Sequence, residues 1–368
     1  MKSTFGTQLQ ISLFGESHGA MIGVVMNGLA PGIPLDLDFI RAQLEKRRPQ
    51  GSFSTTRQEE DEFQIVSGFF NGYTTGTPLC VLIPNTKQQS KDYSATKDIL
   101  RPSHSDFTAF EKYFGFQDYR GGGHFSGRVT APLVIAGAIC LQILKQKGIE
   151  LGSHIIQLNQ IHTDCFANDE TQLREQIQTI NSQYFPCLNP AKAQDMMDLI
   201  TQAKADADSV GGILQSAIIG MPAGIGEPFF DSIESTLGHL LFSVPAVKGV
   251  EFGLGFDFAN YKASEVNDAF QFDNGIKTTS NHNGGINGGI SNGMPILLKT
   301  VIKPTSSILR EQQSVNYATK ENVVLKTEGR HDPAIIHRAR VVVDSVIAIG
   351  LVELFTQRFG YLWMRDAS

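Results

Sequence analysis

The segment 130–147 limits the possible folds more than any other part of the chain, because as a helix it would be apolar on almost every side. Its apolar residues include Leu133, Ile135, Ile139 and Leu144, which do not fall on one stripe. A helix at the surface of a globular protein keeps a polar face, whereas a helix that is hydrophobic all round is buried. We therefore expect a central helix that other elements cover.

The other segments predict a mixture of strands and helices around this helix. Short apolar runs bounded by glycine predict strands at 10–13, 64–67, 79–83, 213–219, 249–255 and 296–302. Apolar residues three or four positions apart predict helices at 38–48, 108–114, 130–147, 171–184, 191–207, 232–242 and 338–359. Because strands and helices do not strictly alternate, the pattern favours a layered α+β fold. We expect a single domain over 1–368, with the polar stretch 168–207 as a peripheral helical insertion.

Composition and charge exclude several classes of protein. With 41% hydrophobic residues and a net charge of −6, the 368-residue chain is not predicted to be disordered. Its acidic excess (37 residues against 31 basic ones) argues against a general nucleic-acid or membrane binder. We find no apolar run of the roughly 18 residues that span a bilayer and no signal-peptide core. Four scattered cysteines predict neither a disulfide framework nor a metal site. The expectation is a cytoplasmic globular protein.

The loop 14–19 (FGESHG) is the first motif that could carry chemistry. Its two glycines allow a sharp turn that presents Ser17 and His18. An imidazole can give or take a proton near neutral pH, so His18 is a candidate acid or base. The alternative, a histidine that fills a turn, is equally open on this motif alone. The context does not support the nucleophile elbow of a serine hydrolase.

A second loop, 101–106 (RPSHSD), combines a permanent cation, hydroxyls and an imidazole. Arg101 and a serine could hold a phosphate while His104 protonates the leaving group. A polar surface turn remains the alternative. Asp106 is predicted to be the N-cap of the helix that starts near Thr108.

Two glycine-rich segments suggest an anionic ligand. Three consecutive glycines precede His124, and the segment that contains them lies between Arg120 and Arg128 and leads into the central helix. The N-terminus of a helix favours anions. The segment 281–293 alternates glycine and asparagine, which favours a backbone that offers many N–H groups. A wide turn between strands is the alternative for the latter. The strand at 296–302 then leads to a lysine and three hydroxyls at 303–307, which could hold a phosphate.

Cations concentrate in these loops although the chain as a whole is acidic. Arg47 and Arg48 are the last residues of the predicted helix 38–48, where they could complement its C-terminus or attract a polyanion. Arg330 and Asp332 lie in a tight loop at 329–333, and no further ligand there supports a metal site. The residues alone therefore predict an enzyme with a basic cavity that acts on a phosphorylated compound through histidine acid–base chemistry.

In this order, the motifs resemble those of the chorismate synthase family. They are FGESHG (14–19), RRP (47–49), RPSHSD (101–106), DYRGGG (118–123), AVKGVE (246–251), GGINGGISNGMPI (284–296), KPTSS (303–307) and GRHDP (329–333). The resemblance implies a single α+β domain built as a β–α–β sandwich, and a homotetramer. It implies the anti-1,4-elimination of phosphate from 5-enolpyruvylshikimate 3-phosphate, which gives chorismate in the last step of the shikimate pathway. It also implies reduced FMN, whose transient electron donation would aid C–O cleavage.

The resemblance also assigns roles to residues of this chain. His18, with Ser17 beside it, would protonate or hydrogen-bond the flavin, His104 would assist phosphate departure, and Asp332 would act with the flavin in removing the C6 proton. Candidates for binding substrate or NADP are Arg47, Arg48, Arg101 and Arg128. The positions that would contact FMN are His124, Phe125, Ser126, Ala246, Gly288, Lys303, Pro304, Thr305, Ser306, Ser307 and Arg330.

The sequence departs from the family pattern at two places. Many members have Arg-Ser-Ser after the triple glycine, where this chain has His124, Phe125 and Ser126. The family also has a basic residue soon after RRP that is linked to NADPH, whereas 51–54 reads Gly-Ser-Phe-Ser here. We therefore expect an enzyme that receives reduced FMN from elsewhere, with NADPH at most an indirect reductant.

Overall fold

Two antiparallel sheets enclose a layer of helices in the computed structural model, which describes residues 2–51, 54, 61–86, 97–272, 274–327 and 332–365. The helices are α1 (Leu37–Arg47), α2 (Asp106–Tyr113), α3 (Thr130–Gln146), α4 (Glu170–Ser182), α5 (Pro190–Ala205), α6 (Ile233–Ser243), α7 (Ala263–Val266) and α8 (Ile336–Phe359).

The strands of the first half of the chain are β1 (Thr4–Phe5), β2 (Gln10–Gly15), β3 (Met21–Asn27), β4 (Gln64–Ser67), β5 (Phe69–Phe70), β6 (Tyr73–Thr74), β7 (Leu79–Pro84), β8 (Glu150–Leu158) and β9 (Ile161–His162). Those of the second half are β10 (Gly212–Ile219), β11 (Val247–Phe252), β12 (Phe270–Phe272), β13 (Ile276–Thr278), β14 (Ile286–Asn287), β15 (Ile290–Ser291), β16 (Ile296–Ile302), β17 (Glu311–Asn316) and β18 (Glu321–Lys326). One five-stranded sheet has the order β1-β2-β3-β7-β4 and the other β11-β16-β10-β8-β9, while the remaining strands pair as two-stranded hairpins.

Helices α3 and α8 form the centre of the molecule, as the apolar pattern of 130–147 predicts. They pack against each other, with α3 also on the first sheet and α8 also on the second. Gly137 allows this close approach, because a Cβ there would lie 2.2 Å from the Cβ of Ser345. Helix α1 packs on both central helices, and α6 packs on α8 and β11. The arrangement is the expected sheet–helix–sheet sandwich.

The segment 168–207 is helical, as predicted, and part of it covers the outer face of the second sheet. Leu173, Ile177 and Ile180 form the buried stripe of α4 and pack with Ala217 and Ile219 of β10. Helix α5 buries a stripe of its own, formed by Met196, Ile200 and Ala203. The amphipathic spacing of both helices therefore gives a further layer outside the sandwich.

A buried carboxylate fixes the start of the chain on the central layer. Glu353 of α8 is 1% exposed and accepts hydrogen bonds from the backbone N–H groups of Thr7 (2.7 Å), Gln8 (3.2 Å) and Leu9 (2.6 Å). Charge-assisted bonds of this kind are stronger than those between neutral groups. They hold the turn before β2, which leads to the Ser17–His18 loop.

One buried histidine is expected to make the stability of the folded protein depend on pH. His154 of β8 is fully buried against Phe166, with ring centroids 4.4 Å apart. Burial lowers the pKa of His154 to about 4, so the folded state resists protonation that the unfolded chain accepts near 6.5. The stability contributed by neutral His154 is complete above pH 6.5 and is lost as the pH falls towards 4.

Replacing His154 by leucine should therefore flatten the fall in unfolding free energy between pH 6.5 and 4, by up to about 1.4 kcal/mol per pH unit. Urea unfolding at several pH values measures this slope. His162→Leu, at an exposed position, is the matched control and should keep the wild-type slope. An unchanged slope in His154→Leu would contradict the prediction.

Within the described ranges, one helix, Gly127–Gln146, is long and apolar enough to span a membrane by length and composition alone, contrary to the expectation that no segment reaches this size. However, 83% of its most apolar 18 residues is buried inside the protein. Its neighbours α8 and the first sheet account for that apolar surface, so here it serves as the core helix.

Candidate functional site

A cavity of about 320 Å³ lies where the N-terminal ends of α3 and α8 meet the C-terminal ends of α1 and α6. Two helix N-termini at one cavity favour an anionic ligand, because their unpaired N–H groups carry partial positive charge. The lining residues are Arg47, Arg48, Pro49, Asp61, Ser126, Gly127, Arg128, Thr130, Val244, Pro245, Thr305, Asp332, Ile335, Arg338, Ala339 and Val342. This set includes four arginines and two carboxylates, which leaves a formal charge of +2.

Three buried charged groups form the base of the cavity. Asp61 is 2% exposed and accepts from Arg47 Nη2 at 3.1 Å and from Arg128 Nη1. Burial by itself would raise the pKa of Asp61, but the charges of Arg47 and Arg128 outweigh it and lower that pKa below the usual range. Arg128 also donates from Nε to the Asn85 side chain at 3.1 Å. The carboxylate thus fixes both guanidinium groups at the cavity.

A second ion pair lies at the start of α8. Asp332 accepts from Arg338 Nη1, and Arg338 Nε donates to the backbone oxygen of Arg47 at 2.7 Å. The arginine therefore joins the end of α1 to the carboxylate that the sequence singled out. Sequence reasoning missed Arg338 and Asp61. A signal for Arg338 was available, since it is a cation one helical turn into α8 and six residues after Asp332.

The triple glycine brings the two candidate histidines together. Gly121, with φ +60°, faces His18 so closely that a Cβ would lie 2.2 Å from Cε1 of the ring. The next residue, Gly122, faces His104, whose Cε1 would lie 3.5 Å from a Cβ. The Cβ of Ser126, which lines the cavity, would lie 3.8 Å from that same Cβ placed on Gly122. Hence the glycine turn that leads to the cavity residue Ser126 brings the two imidazoles together, although neither is among the lining residues.

Hydrogen bonds fix the Ser17–His18 loop against this turn. Ser17 donates its backbone N–H to Gly123 O at 3.1 Å and its hydroxyl to Arg120 O at 3.2 Å. Its hydroxyl oxygen lies 3.1 Å from Nδ1 of His18 and can accept the proton there. His18 is 4% exposed, so water has little access to its ring.

A carboxylate orients His104. Asp106 Oδ1 lies 2.8 Å from His104 Nδ1, and Arg101 donates to the same carboxylate from Nε at 2.8 Å and from Nη2 at 2.7 Å. Burial would raise the pKa of Asp106, but its bonds to Arg101 and His104 hold it far below the usual range. A charged Asp106 accepts the Nδ1 proton, which leaves Nε2 available on the Gly122 side.

This geometry corrects the predicted role of Asp106. It is the first residue of α2 rather than its N-cap, because its carboxylate is taken up by Arg101 and His104, and Ser105 occupies the cap position. Arg101, expected to bind substrate, forms a bidentate ion pair with Asp106 and does not line the cavity.

The expected cofactor positions fall into two groups at opposite ends of β16. Ala246 accepts from the N–H of Lys303 at 2.9 Å, Lys303 Nζ donates to Ser103 O at 2.8 Å, and Thr305 lines the cavity. The glycine-rich segment lies at the other end, where a Cβ on Gly285 would be 2.5 Å from Pro295 O. At about 3.3 Å per residue, the seven residues of β16 span roughly 20 Å between the end of the glycine-rich segment and Lys303.

Several expected positions have other surroundings or lie outside the described residues. His124 contacts Gly15 and Ser3 through its two ring nitrogens. Phe125 is 38% exposed, and its ring packs edge-on against Tyr113 with centroids 6.0 Å apart. Pro304, Ser306 and Ser307 follow Lys303 in the loop beside the cavity. Arg330 lies outside the residues that the structure describes, as do Ser52 and Phe53 of the loop after RRP.

His337, which the sequence analysis treated as structural, lies next to Ser54, a described residue of the loop after RRP. Its Nε2 is 3.1 Å from the hydroxyl of Ser54, and its ring packs against Tyr184 and Phe185. Burial is the main cause that lowers the pKa of His337 to about 3, and the positive charge of Arg338 lowers it further. The imidazole is therefore neutral at physiological pH and adds no positive charge near the cavity.

A cationic cavity, two imidazoles and a carboxylate within a sheet–helix–sheet sandwich define an enzyme for a small, anionic substrate. Residues 9–356 match the model of the chorismate synthase family. The chorismate synthase of Methanobrevibacter smithii is 44% identical over 364 residues, 98% of either chain, and that of Dehalococcoides mccartyi is 42% identical over 356 residues, 96% of either chain. A crystal structure of chorismate synthase covers 97% of this chain and 94% of its own with a TM-score of 0.75 at 24% identity, which supports the fold.

The chain therefore belongs to the chorismate synthase family, the carbon–oxygen lyases that form chorismate in the shikimate pathway. The family and the sandwich fold inferred from the motifs are both confirmed. The roles of individual residues remain proposals.

Proposed function

We propose that this cavity binds 5-enolpyruvylshikimate 3-phosphate next to reduced FMN and eliminates phosphate from it to give chorismate. One observation carries the proposal: His18 and His104 face successive glycines of the turn that leads to Ser126, in the wall of a cavity with four arginines. A phosphate and two carboxylates on the substrate require several cations, and a departing phosphate requires a proton donor. The cavity offers both.

The arginines would bind the acidic groups of the substrate. Arg47 and Arg128 are held in place by Asp61, and Arg338 by Asp332, so their orientation does not have to be established when substrate binds. Arg48, on the same wall, presents the remaining described guanidinium of the cavity. We assign Arg101 an indirect part, through Asp106, and keep Arg330 as a further candidate from its motif.

The residues beside the cavity fit a flavin. Val244, Pro245, Ile335, Ala339 and Val342 supply an apolar wall for a flat ring system. The loop 303–307 offers a cation and hydroxyls for a phosphate, and Thr305 lies in the cavity wall itself. When bound, reduced FMN would supply transient electron density that lowers the barrier to C–O cleavage.

The chain's own residues would move the protons. In its doubly protonated form, with Nδ1–H held by Asp106, His104 would donate the Nε2 proton to the departing phosphate oxygen. His18, with Ser17 on its Nδ1, would hydrogen-bond or protonate the flavin. Asp332, whose carboxylate lines the cavity, would take part in removing the C6 hydrogen. The alternative, a relative that binds ligands without catalysis, does not require these three residues, and their presence favours the enzyme.

We further infer a single domain and an assembly of several copies, with four expected from the family. The larger apolar cluster draws on both sheets and the helices between them, as one domain would. Large aromatic side chains are strongly exposed in the described chain, which an assembly would cover: Phe229 (86%), Phe230 (91%), Phe256 (82%), Phe270 (69%) and Phe272 (83%). Light scattering tests this, and a mass of one chain in solution would contradict it.

The decisive test is an anaerobic assay with photoreduced FMN and 5-enolpyruvylshikimate 3-phosphate, followed by the absorbance of chorismate. The proposal expects product only when protein, substrate and reduced flavin are all present. Absence of product with folded protein would reject it. Flavin binding measured in the same sample separates an inactive binder from a protein that takes no flavin.

NADPH should not replace photoreduction. The loop after RRP lacks the basic residue expected for the NADPH-linked position, so NADPH plus oxidised FMN in air should give little turnover. Addition of a separate flavin reductase is the positive control and should restore activity. Substantial NADPH-driven turnover without the reductase would show that this chain reduces its own flavin.

A further inference from the structure

Building on the proposed function, we propose that His124 is a positioning residue, which holds the Ser17–His18 loop in register with the triple glycine. Its side chain lies 2.8 Å from Gly15 O through Nδ1 and 3.2 Å from Ser3 Oγ through Nε2. The residue joins the turn beside the cavity to the end of β2 and to the segment before β1. This role differs from the flavin contact that the family motif suggests for the same position.

The chemistry of the partners fixes the tautomer. A backbone carbonyl oxygen only accepts hydrogen bonds, so the Nδ1 of His124 must carry the proton in its contact with Gly15. In the neutral ring Nε2 is then an acceptor, and Ser3 can donate its hydroxyl to it. Both polar atoms of the ring are therefore engaged within the chain.

The contact with Gly15 acts at the point where strand becomes loop. Gly15, with φ +95°, is the last residue of β2 and precedes Ser17 by two positions. Two bonds of Ser17, to Gly123 O and Arg120 O, hold the middle of the loop on the glycine turn. The His124 bond adds a third link from the same turn to the start of the loop.

This third link matters because His18 has little room. Its ring packs on Gly121 so tightly that a single added carbon would overlap it. A rotation of the loop about Gly15 would carry His18 off the glycine surface and away from the cavity edge. Misplacement of a catalytic group by about 1 Å can cost a large factor in rate. Loss of the Gly15 bond should therefore lower kcat more than it changes substrate binding.

The two ring nitrogens can be tested separately. The amide nitrogen of asparagine lies close to the position of Nδ1, so His124→Asn keeps the donor for Gly15. The longer His124→Gln reaches towards Ser3 and loses that donor. Ser3→Ala removes the other contact and serves as the matched control. Kinetics in the anaerobic assay, FMN affinity and hydrogen exchange of the peptide 14–19 are measured for each variant.

We expect His124→Gln to lower kcat about tenfold, with KM and FMN affinity within about threefold of the wild type and faster exchange in 14–19. His124→Asn should recover kcat to within about threefold, and Ser3→Ala should match the wild type. The inference is overturned if Asn and Gln variants behave alike, or if FMN affinity falls while exchange in 14–19 is unchanged. An inactive wild type would instead reject the proposed function, and the exchange comparison would still decide on the Gly15 link.

Discussion

Replacing His104 with alanine is expected to lower kcat by roughly 10²–10⁴, the usual contribution of a general acid. The Nδ1 of this histidine is bound to Asp106, and its Cε1 and Nε2 face Gly122 in the turn that leads to the cavity residue Ser126, so the protonated ring is oriented for donation from Nε2. FMN affinity should remain nearly unchanged, because no expected flavin contact involves this ring. Stopped-flow detection of chorismate under anaerobic conditions measures the loss.

Two further variants sharpen this test. Asp106→Asn should give a smaller loss than His104→Ala, because the ring remains but its tautomer is no longer enforced. His162→Ala, at an exposed histidine on β9, is the matched control and should be fully active. Wild-type turnover in His104→Ala would remove this residue from the chemistry.

The second large effect concerns folding. Asp61→Ala should lower the free energy of unfolding by about 3–5 kcal/mol, because it leaves Arg47 and Arg128 as buried charges without their shared carboxylate. The side chain of Asp61 is 0% exposed, and those of Arg47 and Arg128 are 9% and 5% exposed, so the three charges depend on one another. Asp61→Asn, which keeps an acceptor but not the charge, should cost less. Urea unfolding at neutral pH measures each value.

An exposed carboxylate provides the comparison. Asp38→Ala removes a carboxylate that pairs with Arg41 at 2.7 Å but is 92% exposed, and it should leave stability within experimental error. Inorganic phosphate should stabilise Asp61→Ala more than the wild type, since an added anion can take the place of the carboxylate between the arginines. Equal losses in the Asp38 and Asp61 variants would contradict the buried arrangement.

Local patterns predicted most of the helices and six of the ten strands in the two five-stranded sheets. The helix at 130–147 appears as Thr130–Gln146, and the strands at 64–67 and 296–302 have the predicted bounds. Sequence reasoning missed β3 and β8, although both lie inside their sheets with a strand on either side. Each is buried on both faces along most of its length, so it lacks the alternation of apolar and polar residues that marks a half-exposed strand.

The candidate site was predicted in its parts but not in its assembly. His18 and His104 were singled out as imidazoles in polar loops and Asp332 through its family motif, and the structure places the two histidines against neighbouring glycines. Asp61 lies in a stretch with no distinctive motif, so its bonds to two arginines could not be foreseen. The assignment of Asp106 as a helix cap was wrong because its carboxylate binds Arg101 and His104 instead of the backbone N–H groups at the start of α2. This pairing could not be foreseen from the local sequence.

The sequence by itself determined the central helix, the amphipathic α4 and α5, and the loops rich in glycine and cations, because these depend on residues close together along the chain. Only the tertiary structure decided which charges pair, and that Arg101 is held by Asp106 while Arg338 faces the cavity. The physical reason is that the strength of an ion pair and the reach of a side chain depend on burial and distance. Both are set by packing between elements that are far apart in the sequence.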